Sequence, residues 1–370
     1  VFLLSCQTEL KNFKQVSSDS LITIEASLSN ALENHRVYLS YASPNLTGDT
    51  REIPISGATV DVLSDEGIRT LFTEIEKGVY QSGIFAGIVG GKYTLNIVLK
   101  DGKKFQSSAE EILEVRPIKA VSSNFTVKSN FPEADQRRLG FDVTLNFDDP
   151  AKEGQYYQWD WEHYERATYC ATCDNGFDYS KGTCGSSSAV LPTYELTNSI
   201  RPINYGCGEN CFDVIRSTEF NLFADNLSNG QLITDLPLLR IPFDGIKDYY
   251  VEIEQRSINK KVYEYLSILK DATQNAGTMF DVPPITPLSP NITCVSDPNE
   301  KILGVFSVYG VDKRAVYIDR QTGTDGYSRL TRRILGRGAL AAPGSFMTPT
   351  APCIEGKYRT KQTPKEWRDS

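Results

Sequence analysis

Tyr93-Thr94-Leu95-Asn96-Ile97-Val98-Leu99, followed by Lys100-Asp101-Gly102, is the stretch that decides the fold class. It is rich in aromatic and β-branched residues and lies between a glycine bend at Gly90-Gly91 and a turn dipeptide, so it reads as a strand entering a hairpin. Asp101-Gly102 predicts a type I′ turn, because both central residues tolerate positive φ. The pattern extends outward on the N-terminal side. Ile22, Ile24 and Ala26 alternate with polar residues, as do Val37, Leu39 and Tyr41, and that period marks half-buried strands. Residues 57–62 and 78–81 add two more, with a turn-rich segment at 64–67. Residues 20–116 are therefore expected to form a small antiparallel β-sandwich.

Toward the C-terminus, Arg116-Pro117 and the polar stretch through Asn130 read as a junction. Residues 139–147 alternate as a strand. In residues 156–163, Tyr157, Trp159 and Trp161 share one face, while Gln158, Asp160 and Glu162 share the other. Residues 232–243, 249–254, 302–308 and 316–318 also read as strands. One helix is expected, with Ser257 as its cap, Ile258, Val262, Leu266 and Leu269 at helical spacing beside Tyr265, and Gly277 as its stop. The fold class is mainly β: two β-sandwich-like domains, 20–116 and 117–370, the second with one clear α-helix and a cysteine-bearing insertion at about 169–211. A chain of 370 residues suits two domains. No apolar run approaches the length of a transmembrane helix. The net charge of −8 argues against nucleic acid as a partner and against general attraction to anionic lipid.

The chain starts Val1-Phe2-Leu3-Leu4-Ser5-Cys6. A short apolar run, a small residue and then cysteine resembles the lipobox of bacterial lipoprotein signal peptides. That resemblance makes residues 1–5 a residual signal peptide, Cys6 the lipidation site, and residues 6–19 a polar, lipidated tether. Such a chain is anchored to a membrane and does not span it.

Beyond Cys6, the chain's other cysteines are Cys170, Cys173, Cys184, Cys207, Cys211, Cys294 and Cys353. Those of the insertion fit two chemistries, and a redox dithiol at Cys170 and Cys173 is set aside because no βαβ pattern surrounds it. Four thiolates, with His163 as a spare ligand, make a zinc centre. Disulfides stapling a poorly hydrophobic insertion in an exported protein explain the same residues without a metal, and this is the reading taken. Seven is an odd number, so at least one thiol stays free or pairs elsewhere. No cofactor is expected apart from the covalent lipid on Cys6.

Other constellations are weaker. The aromatic face of Tyr157, Trp159 and Trp161 suits either sugar stacking or a sandwich core, and core is the reading taken. Residues 174–178 have calcium-loop composition without the further acidic ligands such a loop needs. The histidines are His35 and His163 alone, and the motifs of serine hydrolases, zinc peptidases and P-loop enzymes are absent. Asp160 and Glu162 are the carboxylate pair a hydrolase would use, but alternation on a solvent-facing strand also explains them. Arg329, Arg332, Arg333 and Arg337 form a basic cluster in an acidic protein; a solvated surface is the usual explanation, and docking to an acidic partner loop is the sharper one.

Two resemblances refine this reading. Residues 54–105, with their Gly-Ala-Thr-Val-Asp-Val, Gly-Val-Tyr and Lys-Tyr-Thr-Leu-Asn-Ile-Val-Leu segments, resemble the transthyretin-like or carboxypeptidase-regulatory sandwich. Residues 249–311 resemble a Bacteroidota outer-membrane lipoprotein family known as domain of unknown function 4249. They supply its strand ending in Gln255, its Tyr-rich helix, its Pro-containing loop, Asn291-Ile292, and a strand holding Val305-Phe306-Ser307. Residues 156–165, residues 215–226, and the tail with Cys353, Pro364 and Trp367 fit as well. The family tail often carries a second cysteine nearby, which Ile354-Glu355-Gly356 does not supply. The resemblance implies a non-enzymatic lipoprotein at the cell-surface face of the outer membrane. Its implied partner is a β-barrel such as a TonB-dependent receptor of the SusC type. Independent capture of a glycan or peptide is the alternative, and a hydrolase with an unrecognised carboxylate site is the third.

Overall fold

The computed structural model describes residues 21–44, 50–128, 139–173, 177–185, 203–226, 228, 230–243, 248–274, 287–323, 337–338, 350–356 and 358–368. It is mainly β and falls into two compact units. One holds the described residues through Glu114 together with Ser257–Val311; the other holds Val115–Arg256 and the described residues from Asp312 onward.

In the first unit, a single hydrogen-bonded path starts at Ile292–Cys294. It then runs through Lys104–Ser107, Lys92–Val98, Thr59–Ser64, Arg69–Glu76, Val79–Phe85, Glu33–Pro44 and Leu21–Ser29 to the strand that begins at Ile302. The pairings are antiparallel up to the last, which is parallel and registers Ile22 with Ile302 through Ser29 with Tyr309. Alternation puts Ile22, Ile24, Ala26 and Leu28 inward, where they join Val60, Val62, Leu95, Ile97, Phe105, Phe306 and Val308 in one core. The helix Lys260–Gln274 buries Val262 and Tyr265, and the Tyr265 hydroxyl accepts a hydrogen bond from the Gly304 N–H at 3.1 Å.

Two local expectations are corrected. Asp101-Gly102 is not a type I′ turn: Gly102 has φ +89°, but Asp101 is not among the residues with positive φ. Instead the Gly102 N–H reaches the Leu99 carbonyl at 3.0 Å, and the Asp101 carboxylate accepts from the Lys103 N–H at 3.0 Å. This is a turn closed by a left-handed glycine, which leaves aspartate in its preferred region. The helix cap is Asn259, not Ser257. Asn259 Oδ1 accepts from the Val262 N–H at 2.9 Å, while Ser257 is buried near the end of the strand Tyr249–Ile258. Gly277 lies outside the described residues.

The second unit is a sandwich with an aromatic interior. Ile118–Thr126, Gly140–Asp148 and Leu232–Pro242 form an antiparallel sheet. Tyr156–Arg166 pairs antiparallel with Phe212–Arg216 and Asn221–Ala224, and neighbours Tyr249–Ile258 on its other side. Phe141, Val143, Leu145 and Phe147 from the first sheet meet Tyr157, Trp159, Val251 and Ile253 in one core. Tyr157 and Trp159 are almost fully buried, so the aromatic face is interior, as the core reading held. The indole N–H of Trp159 donates to Gln255 Oε1 at 2.9 Å, and Gln255 Nε2 donates to the Arg116 carbonyl at 2.5 Å. A buried indole thus keeps its hydrogen bond.

The expected division was contiguous at 116, whereas the first unit takes back residues 257–311. The cause is the parallel pairing of Leu21–Ser29 with the strand starting at Ile302. Hydrophobic period shows that a segment is a strand but does not name its partner.

Candidate functional site

The cysteine insertion is built on Tyr169–Cys173, antiparallel to Ile203–Cys207, with Arg337–Gly338 and Thr350–Ala351 added in parallel. Its core is small: Ala167, Phe177, Ile203, Tyr205 and Ala351 alongside Cys170, Cys173, Cys211 and Cys353. Half-cystines fill the space that aliphatic side chains occupy in the larger cores. The bonds are Cys170–Cys207, Cys173–Cys184 and Cys211–Cys353. The last joins the insertion to the C-terminal tail, so Cys211 supplies the partner that the residues after Cys353 lack. The sulfurs of Cys170, Cys211 and Cys353 lie within 4.8 Å of one another, which sets two disulfides side by side. Oxidised sulfur offers no thiolate, so the alternative zinc set does not form.

Cys294 corrects the list of disulfide candidates. It is a free thiol, buried in the core of the first unit, with Sγ 3.2 Å from the Ser296 hydroxyl.

His163, the proposed spare ligand, is fully engaged elsewhere. Its Nδ1–H donates to the Tyr250 carbonyl at 2.7 Å, and its ring stacks on Tyr249 with centroids 3.4 Å apart. Its Nε2 lies 3.6 Å from Glu165 Oε2, and Glu165 Oε1 accepts from Arg320 at 3.3 Å. Arg320 is buried and covers the Tyr249 ring at 5.5 Å. Hydrogen bonding from His163, with Arg320 beside it, holds the Glu165 carboxyl below its usual range. These groups tie strands together inside the sandwich.

Asp160 and Glu162, the carboxylate pair, carry counter-charges. Asp160 pairs with Arg256 and accepts from the Ser217 hydroxyl at 3.3 Å. Glu162 accepts from Arg216 at 2.7 Å and from the Tyr164 hydroxyl at 2.6 Å. Of the 174–178 segment, Phe177 and Asp178 are described; the Asp178 carboxylate accepts from Ser180 and pairs with Lys181. Arg337 begins a two-residue strand, with Ile203 as its Cα partner. Cys6, Arg329, Arg332 and Arg333 lie outside the described residues.

Two features escaped the sequence reading. A cleft of about 440 Å³ opens in the first unit between residues 64–70 and 85–91, lined by the apolar Ile68, Phe85, Ile88 and Val89 and by the acidic Asp65 and Glu66. The sequence shows turn character at 64–67 and a bend at Gly90-Gly91, and only the meeting of these segments in space makes a cleft. The other is a pair of buried carboxylates, Asp149 and Asp225, described below.

No curated protein matches the chain. The family model described as Domain of unknown function (DUF4249) matches residues 9–315, most of both units, and the chain belongs to that family.

Proposed function

We propose that this chain is a lipid-anchored, non-enzymatic protein of the outer membrane, acting as an accessory subunit of a TonB-dependent barrel of the SusC type or of a similar barrel complex. The observation that carries the reading is the family match over residues 9–315, which begins just after Cys6. A folded β protein on a short lipidated tether explores a thin layer at the membrane, which raises its effective concentration for a barrel partner. The side chains that suggested hydrolysis, Asp160 and Glu162, are engaged by Arg256 and Arg216. The described residues contain no helix long and apolar enough to cross a membrane, which is compatible with anchoring by lipid.

The test is native extraction in mild detergent. The wild type is expected to co-purify with a barrel protein in fixed ratio, and Cys6→Ser is expected to leave the membrane fraction. Reversing Arg332 and Arg333 to Glu is expected to weaken the association without lowering the melting temperature. Charge complementarity sets register and on-rate more than raw affinity, so the loss should grow at low salt, where wild-type steering is strongest. A monomer extracted from the membrane without a partner would overturn the accessory role. The cleft between the 64–70 turn and the 85–91 loop favours the second reading, independent capture of a glycan or peptide. Ligand binding by the isolated monomer, lost on filling that cleft, would select it.

A further inference from the structure

Asp149 and Asp225 are 5% and 1% exposed, and a buried carboxylate needs either a counter-charge or a proton. Each has one oxygen engaged and one left over. Asp149 Oδ1 accepts from the Tyr157 hydroxyl at 3.2 Å, and Asp225 Oδ1 accepts from the Gly154 N–H at 3.1 Å. The Oδ2 atoms of both, and the Ser228 hydroxyl, are buried with no hydrogen-bond partner. Neither carboxylate meets a lysine or arginine in an ion pair among the described residues.

The backbone holds these groups together. The Asp149 N–H donates to the Gln231 carbonyl at 3.0 Å, and the Asp225 N–H donates to the Gln155 carbonyl at 3.2 Å. The turn carrying Ser228 is closed by its own N–H on the Asp225 carbonyl at 3.0 Å and by the Gln231 N–H on the Ser228 carbonyl at 2.9 Å. Asn226 and Gly230 in the same turn are exposed, so water reaches its outer side.

We propose that Asp149, Asp225 and Ser228 are the protein ligands of a calcium site that locks the 149–155 loop to the segment carrying Asp225 and Ser228. All three unpartnered donors are oxygen, which selects a hard cation over zinc. Two carboxylates, a hydroxyl, backbone carbonyls and water suit the irregular shell of calcium better than the strict octahedron of magnesium. The cation would supply the counter-charge that both carboxylates lack. Asp174–Asp178, the segment with calcium-loop composition, is a different part of the chain.

The test uses the full chain stripped with chelator. The titratable and charged groups facing Asp149 are Asp225 and Tyr157, with Arg116 acting on Tyr157; neighbouring Asp148 pairs instead with Lys119 at 2.9 Å. In chelator the melting temperature at neutral pH is expected to be lowered, because two buried carboxylates then lack a counter-charge. One equivalent of calcium is expected to restore it at neutral pH, and magnesium at the same concentration is expected to restore much less. Asp225→Asn is expected to weaken calcium binding by about a hundredfold and Ser228→Ala by roughly tenfold, with the Ser228 variant retaining the fold. No heat of calcium binding to stripped wild type, or a melting temperature unchanged by calcium, would overturn the proposal.

Discussion

Gly304 sets how closely two strands of the first unit approach. Its φ is +91°, and a Cβ built there would stand 2.1 Å from the carbonyl oxygen of Ile24 on the paired strand. Its N–H is bound to Tyr265 of the helix, so strand, neighbour and helix converge on a residue without a side chain. Gly304→Ala is expected to cost about 3 kcal/mol or more, from strain at positive φ together with the backbone clash. Denaturant unfolding measures this, and an unchanged midpoint would mean the parallel pairing is misplaced. Glu165 makes a different residue-scale case. Folding lowers its pKa through His163 and then Arg320, so its contribution is complete above the ordinary carboxylate value and disappears as pH falls through the lowered one. Its side chain is 46% exposed, which screens the effect. Glu165→Gln is therefore expected to lower neutral stability modestly and to converge on wild type in acid, which flattens the acid limb of the stability profile below about pH 4.5. An acid limb as steep as wild type would remove Glu165 from that role.

At the scale of elements, the insertion depends on its cross-links because its core is small. Cys211–Cys353 closes 142 residues, against 37 for Cys170–Cys207 and 11 for Cys173–Cys184. Chain-entropy reasoning assigns about 5, 4 and 3 kcal/mol to those closures in turn, each taken alone. The double variant Cys211→Ser/Cys353→Ser is expected to lower the melting temperature more than the paired substitution of Cys173 and Cys184. The reverse order would show that local packing, not loop closure, sets the value of each bond. Peptide mapping under non-reducing conditions is expected to recover the three linked pairs, with Cys294 alkylated only after unfolding. The existence of these elements was legible in the sequence, and their partners were not. Ile22, Ile24 and Ala26 announced a strand by alternation, and Val262 and Tyr265 announced a helix by its period. Nothing in either pattern indicates that the strand pairs with one that follows the helix, hundreds of residues away. The cap moved from Ser257 to Asn259 for a similar reason. Ser257 is held inside a strand, and Asn259 is fixed by a second bond from its Nδ2 to Glu110 at 2.6 Å. Cysteine spacing suggested staples and left the pairing open, and Cys294 shows that a thiol can serve as a small apolar core residue. Asp149 and Asp225 escaped notice because ordinary turn residues become a pair only when two loops meet.

For the molecule as a whole, the consequence is that its first unit is discontinuous in sequence. Residues 20–116, the boundary that composition suggests, lack the strand starting at Ile302, the helix Lys260–Gln274 and the edge strand Ile292–Cys294. Cutting there removes Ile292, Ile302, Phe306 and Val308 from the core and leaves Leu21–Ser29 as an unpaired edge with a long apolar face. An edge of that kind is a template for association with other chains. The 20–116 fragment is therefore expected to aggregate or to melt without cooperativity. The missing piece is a single stretch, 257–311, and its junction lies close to where the chain leaves: the Arg116 carbonyl accepts from Gln255, so the ends to be joined are near each other. A short glycine-serine linker from residue 114 to residue 257 should restore a folded unit, because closing a short flexible loop costs little. Circular dichroism melts and amide NMR dispersion of the two fragments make the comparison. If 20–116 alone gives a sharp melt and a dispersed spectrum equal to those of the linked form, the strand at Ile302 is an accessory to that unit and not part of its core.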